Sequence, residues 1–503
     1  LVQRKKVLWV AALTLVASVA LGIRLVGLDA EPFWLDEVCT HDFNAGTLSS
    51  VVRTYAADVH PPLYGILLHL WGTVVGTSEQ ALRGYSAAFS FVSLLCAVWL
   101  VRDVTGDGWM ALAAGLMLAV NPLDIWHARD ARMYAQAACL ATMAACVLWR
   151  WLQRKGVTSP PRRLAAAYGL LAILWLYTHY LASILLGSQV LAVLLLFSVR
   201  RRWRDAAYLL AAAAAAFASF VPWAIFVLRF RPSLSSVVTQ VGWIPKPHVF
   251  DVFAYLNDEF FIGFARAPGT AAYWFPVVTG GLLAVALVAA LSTAPAPAGS
   301  PVRHPNEGLT LMLWLTLGPA LIVAVISSLW QPVYFPPRFS LFCLVPGVVA
   351  LVVMLGNVRP PLRTVLIAAI TALMATGAAW QAAAPTKDGL REMTRLAARF
   401  GEPAFGLLLP SPNSILVHYY LPHAGLQISR EEFGPRLRPE TPTLVWVCLK
   451  DSQLPPQNSR EGKLVAWLAT TGPYRRLGGA DGYAFYELHA RALPPARSNE
   501  ALE

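Results

Sequence analysis

Apolar runs about twenty residues long recur along this chain, and they constrain its fold more than any other feature. A helix needs about 20 such residues to cross the roughly 30 Å hydrocarbon core of a bilayer. Candidate spans fall near 7–28, 85–101, 109–123, 134–150, 164–181, 183–199, 206–228, 271–292, 309–328, 339–356 and 363–382, eleven in all. Composition agrees: 57% of residues are hydrophobic and 14% charged, where a soluble domain has roughly 45–50% and about 25%. The expected fold is therefore mainly α, a multi-pass protein of the plasma membrane with the lipid bilayer as its solvent. The net charge of +12 would raise nucleic acid as a partner for a soluble chain. Here the basic residues stand in short clusters between apolar runs. That pattern encodes topology, and no nucleic-acid partner is expected.

Orientation follows from the loops. Arg4-Lys5-Lys6 precedes the first run like a signal peptide, but the run is long and many follow, so an uncleaved anchor is expected. With that end inside, the dense clusters Arg150, Arg154, Lys155, Arg162, Arg163 and Arg200, Arg201, Arg202, Arg204 also fall inside. The apolar segment 60–76 would overturn this count if it crossed. Its Pro61-Pro62 start, Trp71 and His69 fit a helix lying on the outer surface. Long outer loops then run over about 29–84 and 229–270. After Trp380 the chain turns polar. Residues 1–384 form the membrane domain, and 385–503 a small extracytoplasmic α/β domain with a disordered tail. Strand-like runs there are 405–409, 444–448 and 483–488, preceded by a helical stretch at 388–400. The six cysteines contain no C-x-x-C pair; Cys39 and Cys448 both fall outside, and the sequence leaves their pairing open.

Acidic residues carry the functional signal. Inside loops hold only Asp103, Asp107, Asp205 and Glu307, whereas the outer face holds many, often beside span ends and aromatic rings. Charges at a membrane edge need a partner or a purpose. Phe33-Trp34-Leu35-Asp36-Glu37 sets two carboxylates under aromatic cover, where one with a raised pKa would accept a proton; the plainer reading is a solvated acidic loop. Asp58-Val59-His60-Pro61-Pro62 puts His60 at a helix start, where anions bind, or is only a helix-start signal. In Asn121-Pro122-Leu123-Asp124-Ile125-Trp126-His127-Ala128-Arg129-Asp130-Ala131-Arg132-Met133-Tyr134, a helical stretch would put Arg129 and Arg132 on one face as a phosphate clamp. An ion-paired loop is the alternative. Thr178-His179-Tyr180 and Tyr334-Phe335-Pro336-Pro337-Arg338 are lesser signals.

Taken in order, FWLDE, DVHPPLY, SEQALRGYSA at 78–87, HARDARMYA, THY and PPRFSLF resemble the bacterial members of the protein mannosyltransferase-like superfamily. These are the GT-C glycosyltransferases that use polyprenyl-phosphate sugars, family 39-like. The resemblance covers roughly 1–382 and is strongest over 30–150. It implies an extracytoplasmic active site with Asp36 as catalytic base. It also implies substrate-binding roles for Glu37, His60, Asp124, Arg129, Arg132, Tyr134, His179 and Arg338, with Asp124 at the superfamily's second acidic position. Relatives often have glutamate where Asp130 stands and tyrosine where Phe339 stands; some have lysine at the place of His60. The expected donor is a polyprenyl-phosphate sugar. The acceptor, whether lipid, glycan or protein, is unknown. Some superfamily members use a divalent metal and others none, so a metal stays open. A transporter or flippase of a lipid-linked sugar is the rival reading, but the chain shows no internal repeat and its charges gather at the membrane edge.

Overall fold

The computed structural model describes residues 2–154, 160–230, 246, 251–264, 267–292, 305–330, 336–384, 387, 391–401, 403, 405–409, 419–421, 423, 443–450, 460–471, 474–480 and 483–490. The chain divides into two compact units. One comprises Leu1–Leu28 and Phe43–Ala384; the other comprises Asp29–Asp42 and Pro385–Glu503. Nothing in the sequence signals that 29–42 leaves the membrane part and joins the tail. The reason is local bonding to tail residues, described below.

The first unit is helical. Helices α1 (Val2–Leu25), α5 (Glu79–Thr105), α8 (Tyr134–Leu152), α10 (Ala182–Val199), α11 (Trp203–Phe230), α13 (Ala271–Ser292), α14 (Pro305–Leu329), α15 (Pro336–Gly356) and α16 (Pro360–Ala383) contain the nine stretches long and apolar enough to cross a membrane among the described residues. The bent pair α6 (Gly108–Ala119) and α7 (Pro122–Ala128), which turn through 62°, is together long and apolar enough to count as a tenth such stretch. The eleventh expected span is shorter than its apolar run. Helix α9 (Arg162–Leu176) has 15 residues, about 22 Å at 1.5 Å per residue, and it stops just before His179 and Tyr180. The segment 60–76 forms helix α4 (Leu63–Val75), whose 13 residues are also too few to span a bilayer alone. Exposed Val7 and Leu8 on α1, Val221 and Ile225 on α11 and Val277 and Val288 on α13 give these helices apolar outer faces. α5, α8 and α15 are the most enclosed.

Caps and breaks fix the register. Ser78 caps α5 by accepting from the amide of Ala81 at 3.2 Å, and Gly106 closes it in the left-handed region at φ 71°, a conformation glycine adopts without steric cost. Asn121-Pro122 makes the bend. Proline removes an amide donor, and Asn121 restarts the helix by accepting from Asp124 N at 3.0 Å. Its side-chain amide also donates to Phe260 O at 2.8 Å, tying the bend to helix α12 (Asp251–Ile262). The bend strands carbonyls at the end of α6, and Arg24 of α1 meets them. Its guanidinium donates to Leu118 O at 3.1 Å and to Ser90 Oγ at 2.7 Å, and it pairs with Asp124. Gly377 lets α16 touch α12 backbone to backbone: a Cβ there would come within 1.8 Å of Phe261 O.

The second unit carries helix α2 (Leu35–Phe43, its last residue in the first unit) and a four-stranded sheet, β1 (Phe405–Leu409), β2 (Thr443–Lys450), β3 (Tyr474–Ala480) and β4 (Tyr483–Ala490). The strand order is β1-β2-β4-β3, with β1 and β2 parallel and the other pairs antiparallel. Helices α17 (Arg391–Phe400) and α18 (Arg460–Thr471) complete the α/β arrangement. Val445, Val447, Leu464, Leu468 and Leu488 form its core. Cys39 and Cys448 both lie in this unit and are not bonded to each other. The C-terminal residues 491–503, most of 231–250 and Tyr334 and Phe335 lie outside the described residues.

Candidate active site

Helix breaks in the first unit bring several of the expected residues together. His60 precedes α4 through Pro61-Pro62, Arg132 and Tyr134 stand where α8 begins, His179 fills the turn between α9 and α10, and Arg338 lies in the first turn of α15. The Tyr134 and His179 rings lie 5.6 Å apart and those of His60 and His179 5.7 Å apart. The Arg338 guanidinium sits 5.8 Å from the Tyr134 ring. His127 lies 5.2 Å from Tyr134, and Phe342 5.7 Å from His179. Buried hydrogen bonds hold the frame: Tyr85 donates to Gln136 at 2.6 Å, Gln136 to Thr178 at 2.8 Å, and Ser86 to Arg132 O at 3.3 Å.

The electrostatics are one-sided at His179. Burial pushes its pKa well below the usual imidazole value, and the charges of His60, Arg132 and Arg338 push the same way. The ring is therefore neutral. The amide of Leu181 donates to its Nδ1 at 3.1 Å, which leaves the proton on Nε2 as a donor. His60 pairs with Asp58, Nδ1 to Oδ2 at 2.7 Å. Burial pushes the Asp58 carboxyl up, but the bond to His60, its charge and that of Arg132 outweigh it and leave the group below its ordinary value. Asp58 and His127 stand in the sequence motifs without a site role assigned to them, and the structure brings both to this cluster. The Asp-x-His spacing is the signal for the first.

Two expectations need correction. Residues 129–133 are not helical, so Arg129 and Arg132 do not share a face. The chain must turn there from α7 into α8, and the two side chains part: Arg129 donates to Val26 O at the end of α1, while Arg132 is buried and acts on His179 and Asp58. Arg338 shares with Arg132 an action on His179. Asp124 likewise does not join the cluster. It is buried and bound by Arg24 and by Ser90, whose hydroxyl donates at 3.1 Å.

Asp36 and Glu37 belong to the second unit. Both stand in the first turn of α2, Asp36 half-buried and Glu37 fully buried. Thr40 Oγ1 donates to Asp36 O at 2.9 Å. Glu37 forms an ion pair with Lys387 at 2.9 Å, a partner 350 residues away that no sequence spacing points to. Among the described residues, no group of three or more His, Cys, Asp or Glu side chains is placed to hold a metal ion.

No known family profile and no curated protein matches the chain by sequence. Its structure does find neighbours. ArnT from Cupriavidus metallidurans in the apo state aligns over 97% of this chain and 98% of its own, with a TM-score of 0.50 and 15% identity. The fold is shared with ArnT. A second structure of ArnT, bound to undecaprenyl phosphate, aligns over 94% of this chain and 97% of its own, with a TM-score of 0.51 and 14% identity. At such identity the likeness to ArnT establishes fold alone. It extends through both units, so the GT-C-like architecture of apolar helices followed by a small α/β domain is the one found.

Proposed function

We propose that this chain is a membrane glycosyltransferase that moves a sugar from a polyprenyl-phosphate donor to an acceptor hydroxyl on the extracytoplasmic side, with inversion. The observation that carries the reading is the convergence of side chains from separate chain segments, with the rings of His60 and Tyr134 5.7 and 5.6 Å from that of His179, the Arg338 guanidinium 5.8 Å from Tyr134, and the charge of Arg132 acting on His179. Such a place suits a phosphate anion. Arg132 and Arg338 offer charged donors, and His179 Nε2 a neutral one. The ArnT fold with undecaprenyl phosphate bound supports a lipid phosphate in particular.

The chemistry needs little else. The Asp36 carboxylate takes the proton of the acceptor hydroxyl. The oxygen forms a bond to the anomeric carbon while the bond from that carbon to the phosphate oxygen breaks. The phosphate leaves with the bonding pair, and the arginines stabilise its added charge. One displacement inverts the anomeric centre, and no nucleotide is required because the lipid phosphate is the leaving group.

The test uses the purified full-length protein in detergent. It is given undecaprenyl-phosphate mannose and an undecaprenyl-phosphate pentose, each radiolabelled in the sugar, with envelope lipids, glycans and proteins as acceptors. Label should leave the polyprenol for an acceptor, and Asp36→Asn should cut turnover by about 10²–10⁴-fold while leaving the fold and donor binding intact. The reading fails if every donor stays whole, or if Asp36→Asn turns over like the wild type.

A further inference from the structure

Within the second unit, the first loop is held at several points by the tail. Lys387 is 3% exposed and its ammonium lies 2.9 Å from the carboxylate of fully buried Glu37. Arg391 donates to the carbonyls of Asp29 at 2.7 Å and Glu31 at 3.0 Å. The hydroxyl of Tyr420 donates to Phe33 O at 3.3 Å, and the ring of Tyr419 lies 5.8 Å from Phe33 and 5.0 Å from His41. These bonds reach the residues before the acid pair, the pair itself and the turn after it. A buried ammonium and a buried carboxylate each cost several kcal/mol when alone, so neither side of the pair is held apart cheaply.

We propose that Lys387, with Arg391, positions the acid pair for catalysis: the tail fixes the first turn of α2 and neutralises Glu37, leaving Asp36 as the carboxylate that works. This rests on the reading of Asp36 as base. Lys387 itself touches no reacting atom. It acts on Glu37, and through the shared helical turn on its neighbour. A base displaced by about 1 Å loses on the order of 10²-fold in rate, while donor binding, assigned to the first unit's arginines, is untouched. The tail is then a working part of the enzyme and not a passenger on it.

The experiment compares wild type, Lys387→Gln, Lys387→Arg and Arg391→Met as full-length proteins. Initial rates are measured with undecaprenyl-phosphate mannose and the labelled pentose donor, and hydrogen exchange is followed over residues 29–42. Lys387→Gln should lower kcat by about 10²-fold with KM unchanged, and exchange over 29–42 should quicken. Lys387→Arg should recover most of kcat. Arg391→Met, which buries no bare charge and so keeps its fold, should lower kcat by roughly three- to tenfold at unchanged KM. Wild-type kcat in both Lys387→Gln and Arg391→Met overturns the proposal, as does a rise in KM at unchanged kcat. Should Lys387→Gln not fold, Arg391→Met decides by the same readings. Asp36→Asn separates the two ideas. If it is inactive while the Lys387 and Arg391 variants are normal, only the positioning role falls; if it is active, the reading of the base falls. If wild type uses neither donor, the exchange rates alone decide the clamp: unchanged exchange in both variants overturns it.

Discussion

Two of the polar centres buried in the helical unit use similar residues to different ends. At the first, Arg24 meets Asp124, Ser90 and the carbonyls of Leu118 and Ala119. Each charge finds an opposite charge or a dipole, and the bent helix α6–α7 is held by the result. At the second, burial and the charges of His60, Arg132 and Arg338 drive the pKa of His179 down, while Asp58 pairs with His60. The first centre ties a helix bend together; the second gathers titratable side chains from four separate chain segments around one imidazole with a shifted pKa. The sequence does not separate them, since both are a charged residue beside an apolar run. Their surroundings do, and a cluster of titratable groups with a perturbed pKa is the better sign of a ligand.

Stability should separate the two centres most strongly. Removing one partner of a buried ion pair costs about 3–5 kcal/mol, because the other is left bare. Arg24→Met and Asp124→Asn should each lower the unfolding midpoint strongly, and the double variant should lower it less than the sum. Molecules that remain folded should transfer sugar at close to the wild-type rate. If Asp124→Asn instead folds normally and loses turnover, Asp124 belongs to the reactive site and the contrast is wrong.

Arg132→Ala should cost turnover even in the molecules that remain folded. Losing a charged donor aimed at a developing anion costs about 10²–10³-fold in rate. Lysine at 132 should rescue only in part, since it lacks the planar fork. Normal binding of undecaprenyl phosphate and normal turnover by Arg132→Ala would remove Arg132 from the anion site.

Much of the architecture is legible from the apolar runs. Nearly every expected span holds a helix, because a bilayer leaves the backbone no other way to satisfy its own polar groups. At 164–181 the helix is shorter than the apolar run, because hydropathy cannot see that residues 177–181 turn away to present His179. The site is legible as residues but not as partners. Arg129 and Arg132 look like neighbours on a spacing that holds only in a helix, and the chain turns there. Arg24 is hidden inside an ordinary first span, and Lys387 lies in a tail with little family signal. Pairings across 100 or 350 residues leave no mark in one sequence. Of the sheet, β3 escapes a sequence reading because Tyr474–Ala480 carries two arginines and two glycines, which dilute any alternating pattern.

A third buried group sharpens the contrast through pH. Glu259 of α12 is 5% exposed; burial raises its pKa to about 8, neighbouring Asp258 adds to the rise, and a bond to Ser340 only partly opposes it. Its Oε2 has no hydrogen-bond partner among the described residues. The folded protein therefore holds a proton that the unfolded chain releases near its ordinary value of 4.5. Stability contributed by that proton is whole below about pH 4.5 and is lost as pH climbs towards about 8. Glu259→Gln, which cannot ionise, should match wild type near pH 5 and exceed it by about 1–3 kcal/mol above pH 8. Equal unfolding midpoints for the two proteins at pH 8.5 would show the carboxyl to be already charged, and paired, in the folded state.

The smallest expected effect is the most direct test of how the arginines divide. Arg129 spends a guanidinium donor on Val26 O, just past the end of α1, and an exposed bond of that kind is worth at most about 1 kcal/mol. Arg129→Ala should therefore lower the unfolding midpoint slightly and leave turnover of an undecaprenyl-phosphate sugar within about threefold of wild type. Arg338→Ala should behave differently. Its guanidinium lies over Tyr134 and its charge reaches His179, so its loss should weaken the binding of undecaprenyl phosphate much as the loss of Arg132 does. Adding Arg338→Ala to Arg132→Ala should then cost less than the product of the two, since residues acting on one anion are not additive. Adding Arg129→Ala should simply multiply. If Arg129, and not Arg338, proves to be coupled to Arg132, the phosphate lies on the α7–α8 turn and the helix-like pairing of 129 with 132 describes the bound state after all.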